Sequence, residues 1–226
     1  MKREDGRGTE EIRPLTIKVG VVPNANGSAL VSLGKTTAIA AVYGPREVHP
    51  RRMKESEKAI LRTTYAMLPF STTERVRPGP SRRSMEICKV IREALEPAVC
   101  LEEFPKTAID VFINITQAEA GTRTVGINAA SVALADAGIP MKDLVASVAA
   151  GKVEGTPVLD LKGKEEETTI CDVPVAYMPR NKQITLLQLD GDIPPKELID
   201  VIKLAIKGCE VIYKKQKEAL KEKWFK

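Results

Sequence analysis

The feature that most constrains this chain is the order of its elements. Short β-rich stretches come in runs, and only occasional helical stretches interrupt them. Runs without a regular strand–helix alternation predict an α+β fold of mixed sheets packed with helices, not a doubly wound sheet. Residues 12–22 and 28–33 flank an Asn26-Gly27 hairpin turn, and strands over 36–43 and 60–70 follow around the polar loop 44–58. Arg77-Pro78-Gly79-Pro80-Ser81 then breaks the chain and caps a helix to about Glu96, with Met85, Cys88, Ile91 and Leu95 as its buried stripe. A strand over 107–116 leads into an Ala/Gly-rich helix from about Thr124, stopped by Gly138-Ile139-Pro140. Strands over 144–150, 158–161, 174–178 and 184–189 precede a long amphipathic helix opened by Asp192-Ile193-Pro194-Pro195. Its inward residues are Leu198, Ile202, Ala205, Cys209 and Ile212. No repeat or linker divides the 226 residues, so a single domain over 1–226 is expected, with a short charged and flexible segment at about 1–10.

Composition removes several kinds of chemistry. The single histidine, His49, rules out a two-histidine metal site within the chain, and no G-x-S-x-G nucleophile elbow is present. The four cysteines form no C-x-x-C pair, which excludes a zinc cluster or redox motif of that kind. Neither a membrane span nor a secretory signal is visible, so a cytoplasmic protein is expected. Carboxylates, arginines, backbone amides or a hard metal ion must carry any reaction. A net charge of +5 favours an anionic partner, although much of the excess lies in the lysine-rich tail.

Three groups of residues suit such chemistry. Gly121, Thr122 and Arg123 sit between a strand and a helix start, where unpaired amides and a guanidinium would hold an anion. A plain capped helix start with a surface arginine would explain them equally well. Arg82 and Arg83 open a helix, where the dipole disfavours cations by roughly 0.3–1 kcal/mol each, and so suggest a bound anion, or else a pair of solvent-facing arginines too screened to matter. Arg46, Arg51 and Arg52 add charge in the loop after Tyr43, suited to an RNA backbone or simply to solvent. Asp160 interrupts an apolar strand ahead of Glu165, Glu166, Glu167 and Asp172, and clustered carboxylates suit Mg²⁺ or Mn²⁺. Gly34-Lys35-Thr36-Thr37 imitates the end of a P-loop but lacks its first glycine, the position being Ala29.

Taken in order, several stretches carry a family likeness: REDGR at 3–7, AVYGPREVHP at 41–50, RPGPSRR at 77–83, VIREALEP at 90–97, AEAGTR at 118–123 and ALADAGIP at 133–140. The chain resembles the RNase PH family over nearly its whole length, and the archaeal exosome branch in particular. That resemblance implies a fold like the second domain of ribosomal protein S5. It also implies phosphate-dependent removal of nucleotides from RNA 3′ ends as nucleoside diphosphates, in a reversible reaction. Gly121, Thr122 and Arg123 would bind the attacking phosphate, and Arg82 and Arg83 the single-stranded RNA near its 3′ end. Asp160 would act with Mg²⁺ or Mn²⁺ or as proton donor. The second acidic position is Glu166, where the family usually has aspartate. The implied assembly is a six-membered ring in which catalytic chains alternate with an inactive paralogue beneath RNA-binding caps, with the loop from Arg51 to Lys58 at the pore. A catalytically silent ring subunit and a stand-alone tRNA-trimming enzyme are the alternatives.

Overall fold

The computed structural model describes residues 3, 5–163, 165 and 168–225. Ten strands form two sheets: β1 (Leu15–Val19), β2 (Gly27–Leu33), β3 (Thr36–Glu47), β4 (Ile60–Met67) and β5 (Thr107–Gln117) in the first, and β6 (Ala146–Val153), β7 (Thr156–Leu159), β8 (Cys171–Met178), β9 (Gln183–Leu187) and β10 (Asp190–Gly191) in the second. The first sheet runs β1-β2-β3-β5-β4, antiparallel except where β4 lies parallel to β5. The second runs β10-β8-β6-β7, with β9 also paired to β8. This is the expected α+β fold of mixed sheets and helices.

Helix α1 (Arg82–Leu95) lies against β4, α2 (Thr122–Asp136) lies between the sheets, and α3 (Pro195–Trp224) covers the second sheet. The small residues of α2 are buried almost all round, as a helix packed on two sides requires. Its one interior amide is satisfied across the gap: Asn128 donates to the Ser147 carbonyl at 2.7 Å and accepts from the Ser147 amide at 2.8 Å. Gln216 of α3 donates to Asn128 at 3.3 Å and to the Val145 carbonyl at 3.1 Å, tying the third helix to the same point. Gly27 allows β2 to meet the end of α2; a Cβ there would stand 2.1 Å from the Ala137 nitrogen.

Three expectations change. Met85 is 66% exposed, and the buried face of α1 is Ile87, Val90, Ile91, Ala94 and Leu95. Both series share Ile91 and Leu95, so periodicity alone does not choose between them; the sheet does. The third strand continues past Tyr43 to Glu47 and takes Arg46 with it. The charged segment before Ile12 is not free. Arg3 is buried, bonded to the carbonyls of Leu159 and Asp160 at 2.9 and 2.8 Å, and the Thr9 carbonyl accepts from the Leu159 amide at 2.8 Å. Charge in this segment serves ion pairing, which composition reads as solvation.

Candidate active site

The centre of the site is the turn from β5 into α2. Gly121 caps α2 with φ +67°, a left-handed conformation that suits glycine, and no side chain caps this end. The first helical bond runs from the Val125 amide to the Gly121 carbonyl at 3.1 Å. The amides of Thr122, Arg123 and Thr124 therefore precede the intrahelical ladder, at the positive end of the helix. The turn is held from behind. The Thr36 hydroxyl donates to the Ala120 carbonyl at 2.7 Å and accepts from the amides of Glu119 and Ala120, each at 3.2 Å. Thr36 belongs to the stretch that imitates a P-loop, and its role in the fold is to brace this turn.

Helix α1 brings its own N-terminus alongside. Ser81 and Ser84 form a capping box, and the first turn contains no acidic residue to offset Arg82 and Arg83, which are both exposed. Arg123 reaches Glu86 of α1 at 3.4 Å, while its Nε is buried without a partner. Tyr65 of β4 fills the space between the two helices. Burial pushes its phenol above the ordinary value, against the pull of Thr122, Arg83 and Arg123 nearby. Thr122, Arg123 and Arg83 are thus all within electrostatic reach of the Tyr65 phenol, next to the Gly121 turn, with Arg82 preceding Arg83 at the start of α1. Tyr65 has no local sequence signal, being one more aromatic residue in a strand.

Asp160 does not have the geometry expected of a metal ligand or proton donor. It lies past the end of β7 at φ +55°, and its side chain is only 3% exposed. Arg13 gives its amide and Nε to Oδ2 at 2.7 and 2.9 Å and its Nη2 to Oδ1 at 2.7 Å. Arg7 adds a contact to Oδ2 at 3.1 Å. Both oxygens are taken up by guanidinium groups and a backbone amide. The Nη2 of Arg13 also reaches the Ala120 carbonyl at 3.4 Å, so Asp160 orients an arginine that supports the Gly121 turn. Glu165 is committed likewise, accepting from Arg3 at 2.9 and 2.7 Å. Glu166 lies outside the described residues. Among the described residues no group of three or more His, Cys, Asp or Glu side chains is arranged to hold a metal, and Asp160 does not fit the expected Mg²⁺ or Mn²⁺. Arg13 is a functional neighbour that the sequence does not reveal, a lone arginine 147 positions from its partner.

The remaining arginines lie elsewhere. Arg46 donates to the buried carboxylate of Asp110 at 2.7 Å, which Arg62 shares at 2.6 and 3.1 Å. Asp110 stands near the start of β5 and the Gly121 turn follows its end, a separation of roughly 20 Å at about 3.3 Å per strand residue. Arg51 and Arg52 are exposed in a short 3₁₀ turn, with Arg51 3.8 Å from Glu47. These three belong to a different surface from the Gly121 turn. Among the described residues no helix is long and apolar enough to cross a membrane.

Comparison with known proteins identifies the family and the fold. Residues 11–140 match the family model described as 3′ exoribonuclease family, domain 1, and residues 143–208 match domain 2 of the same family. The exosome complex component Rrp41 of Pyrococcus furiosus is 60% identical over 225 residues, covering 100% of this chain and 90% of that protein. Rrp41 of Methanopyrus kandleri is 56% identical over 222 residues, covering 98% and 93%, and that of Nitrosopumilus maritimus is 51% identical over 224 residues, covering 99% and 92%. Among solved structures, rice (Oryza sativa) Rrp46 superposes with a TM-score of 0.88 at 23% identity, covering 97% of this chain and 100% of that one, which establishes the fold. Two sheets around a buried α2, matched along both halves of the sequence, place the chain in the RNase PH, or 3′ exoribonuclease, family.

Proposed function

We propose that this chain is the phosphate-dependent 3′→5′ exoribonuclease subunit of an exosome, releasing nucleoside diphosphates from single-stranded RNA. The observation that carries the reading is the buried Arg123 Nε, without a partner, beside the uncapped N-terminus of α2. A buried donor left unmade costs about 1–3 kcal/mol, which an anion seated at this helix end would recover. In the proposed reaction an oxygen of inorganic phosphate attacks the phosphorus of the last phosphodiester. The bond from that phosphorus to the preceding 3′ oxygen breaks, and that oxygen takes a proton. Gly121, Thr122 and Arg123 hold the attacking phosphate, while Arg82 and Arg83 hold the RNA backbone. Asp160 acts at a distance, by fixing Arg13 behind the phosphate turn. With Asp160 committed to Arg13, the proton-donor role first given to Asp160 passes to Glu166, whose carboxylic acid is proposed to protonate the leaving oxygen. The names of the Rrp41 relatives and the likeness to Rrp46 support a place in an exosome ring with RNase PH-like partners; an inactive paralogue in that ring and RNA-binding caps above it are part of the proposal.

Product chromatography tests this directly, on the chain reconstituted with its ring partner and single-stranded RNA. Nucleoside diphosphates are expected only when phosphate is present. Monophosphates released without phosphate would overturn the role of Gly121, Thr122 and Arg123. Bound but uncleaved RNA would favour a silent ring subunit. Replacing both Arg82 and Arg83 by glutamate should weaken RNA binding and flatten its dependence on salt, since fewer counterions are then released. An unchanged salt slope would remove these arginines from the RNA path.

A further inference from the structure

Tyr65 sits where its ring has a packing role and its hydroxyl has none. Its backbone amide donates to Cys88 Sγ of α1 at 3.0 Å, and the side chain is almost wholly buried, the residue being 4% exposed. Across the gap the ring edge lies against Gly126 of α2, with Cδ2 3.9 Å from where a Cβ would stand. Gly126 is about one helical turn beyond Thr122. The ring is therefore threaded between α1 and α2, and its hydroxyl ends beside Thr122, within electrostatic reach of Arg83 and Arg123 at the uncapped end of α2. Although it lies next to the Thr122 side chain, the Tyr65 Oη is buried and makes no hydrogen bond of good geometry. Phenylalanine would fill the same space without burying an unpaired hydroxyl, so packing does not account for the oxygen. The neighbouring Thr122 hydroxyl interacts with it only weakly, falling short of hydrogen-bond geometry, so the Tyr65 Oη is left with room for a better acceptor.

We infer that the Tyr65 hydroxyl is a further anion-binding group of this site, donating a hydrogen bond to a phosphate oxygen held between the N-terminus of α2 and Arg83. The inference rests on the reading of that helix end as an anion site and adds a neutral donor to it. Burial keeps the phenol protonated near neutral pH, so it has a proton to share and no charge to repel phosphate. The phosphate group belongs either to the attacking inorganic phosphate or to the terminal phosphodiester of RNA, and separate titrations distinguish the two.

The test compares the full chain with its Tyr65→Phe variant by thermal unfolding, alone, with inorganic phosphate, and with a short single-stranded RNA in phosphate-free buffer. Without ligand, the variant should melt at the same temperature as the parent or higher. Its dissociation constant for inorganic phosphate, read from the ligand-dependent shift, should rise about tenfold, the loss of one hydrogen bond to a charged group. If only the RNA constant rises, the phosphate concerned is the terminal phosphodiester. Equal constants for both ligands in the two proteins would overturn the inference, as would a clear loss of stability without ligand, which would make the hydroxyl a structural partner of Thr122. A parent chain that phosphate does not stabilise at all would instead overturn the anion site itself, and the Tyr65 inference with it. In the reconstituted enzyme, Tyr65→Phe should raise the KM for phosphate more than it lowers kcat.

Discussion

Asp160→Asn is expected to melt early instead of yielding a stable, inactive chain. Asparagine tolerates the left-handed backbone at position 160, so the substitution removes charge with little change of shape. What remains is Arg13, with a side chain 2% exposed, and Arg7 beside it, facing an amide that no longer neutralises them. Removing one partner of a buried ion pair costs about 3–5 kcal/mol, because the other charge stays desolvated. Urea unfolding should show a midpoint lowered accordingly, at an unchanged slope. Replacing Arg13 by methionine in the same chain should recover part of the loss, since the more deeply buried of the two guanidinium groups is then gone. Activity should fall through weaker phosphate binding, as the Arg13 contact to the Ala120 carbonyl loosens. A variant as stable as the parent but without turnover would return Asp160 to the role of metal ligand or proton donor.

Arg123→Ala should have the opposite signature, a large effect on activity and a small one on stability. Its ion pair with Glu86 is loose at 3.4 Å, and the two side chains are 24% and 57% exposed. Pairs of this kind contribute about 0–1 kcal/mol, and the substitution also removes the buried, unpartnered Nε, so without ligand the melting temperature should hold or rise slightly. The guanidinium has more to do in the reaction, where it would neutralise phosphate oxygens at the positive end of α2. Loss of one preorganised donor to a developing anion typically lowers turnover by about 10²–10³-fold. Steady-state kinetics at varied phosphate should show this loss in kcat/KM for phosphate, with RNA affinity unchanged. A decrease below threefold would move the phosphate away from α2.

Much of the fold was legible in the chain because it depends on local pattern. β-rich runs between turns and loops marked β2, β4 and β5, the Ser81 cap marked the start of α1, and the Pro194-Pro195 pair marked that of α3. The Gly121-Thr122-Arg123 turn was legible for the same reason, since a glycine between a strand and a helix has a local conformational consequence. Periodicity was insufficient where two apolar series overlap, as in α1, where the sheet buries Ile87 and Val90 and leaves Met85 in solvent.

Asp160 marks the other limit. Its carboxylate interrupts an apolar strand, which from sequence suits a reactive acid as well as a buried anchor. Tertiary structure alone decides between them, by bringing Arg13, Arg7 and Arg3 from the first residues of the chain onto the loop that follows β7. Tyr65 is similar: only the approach of α1 to α2 encloses its hydroxyl. The sequence by itself marked most of the secondary structure, the Gly121 turn and the family, because these rest on short motifs whose residues lie within a few positions of one another. Which carboxylate is sequestered, and which buried donor is left without a partner, depends on contacts between residues far apart in the chain, and these exist only once the two sheets have closed around α2.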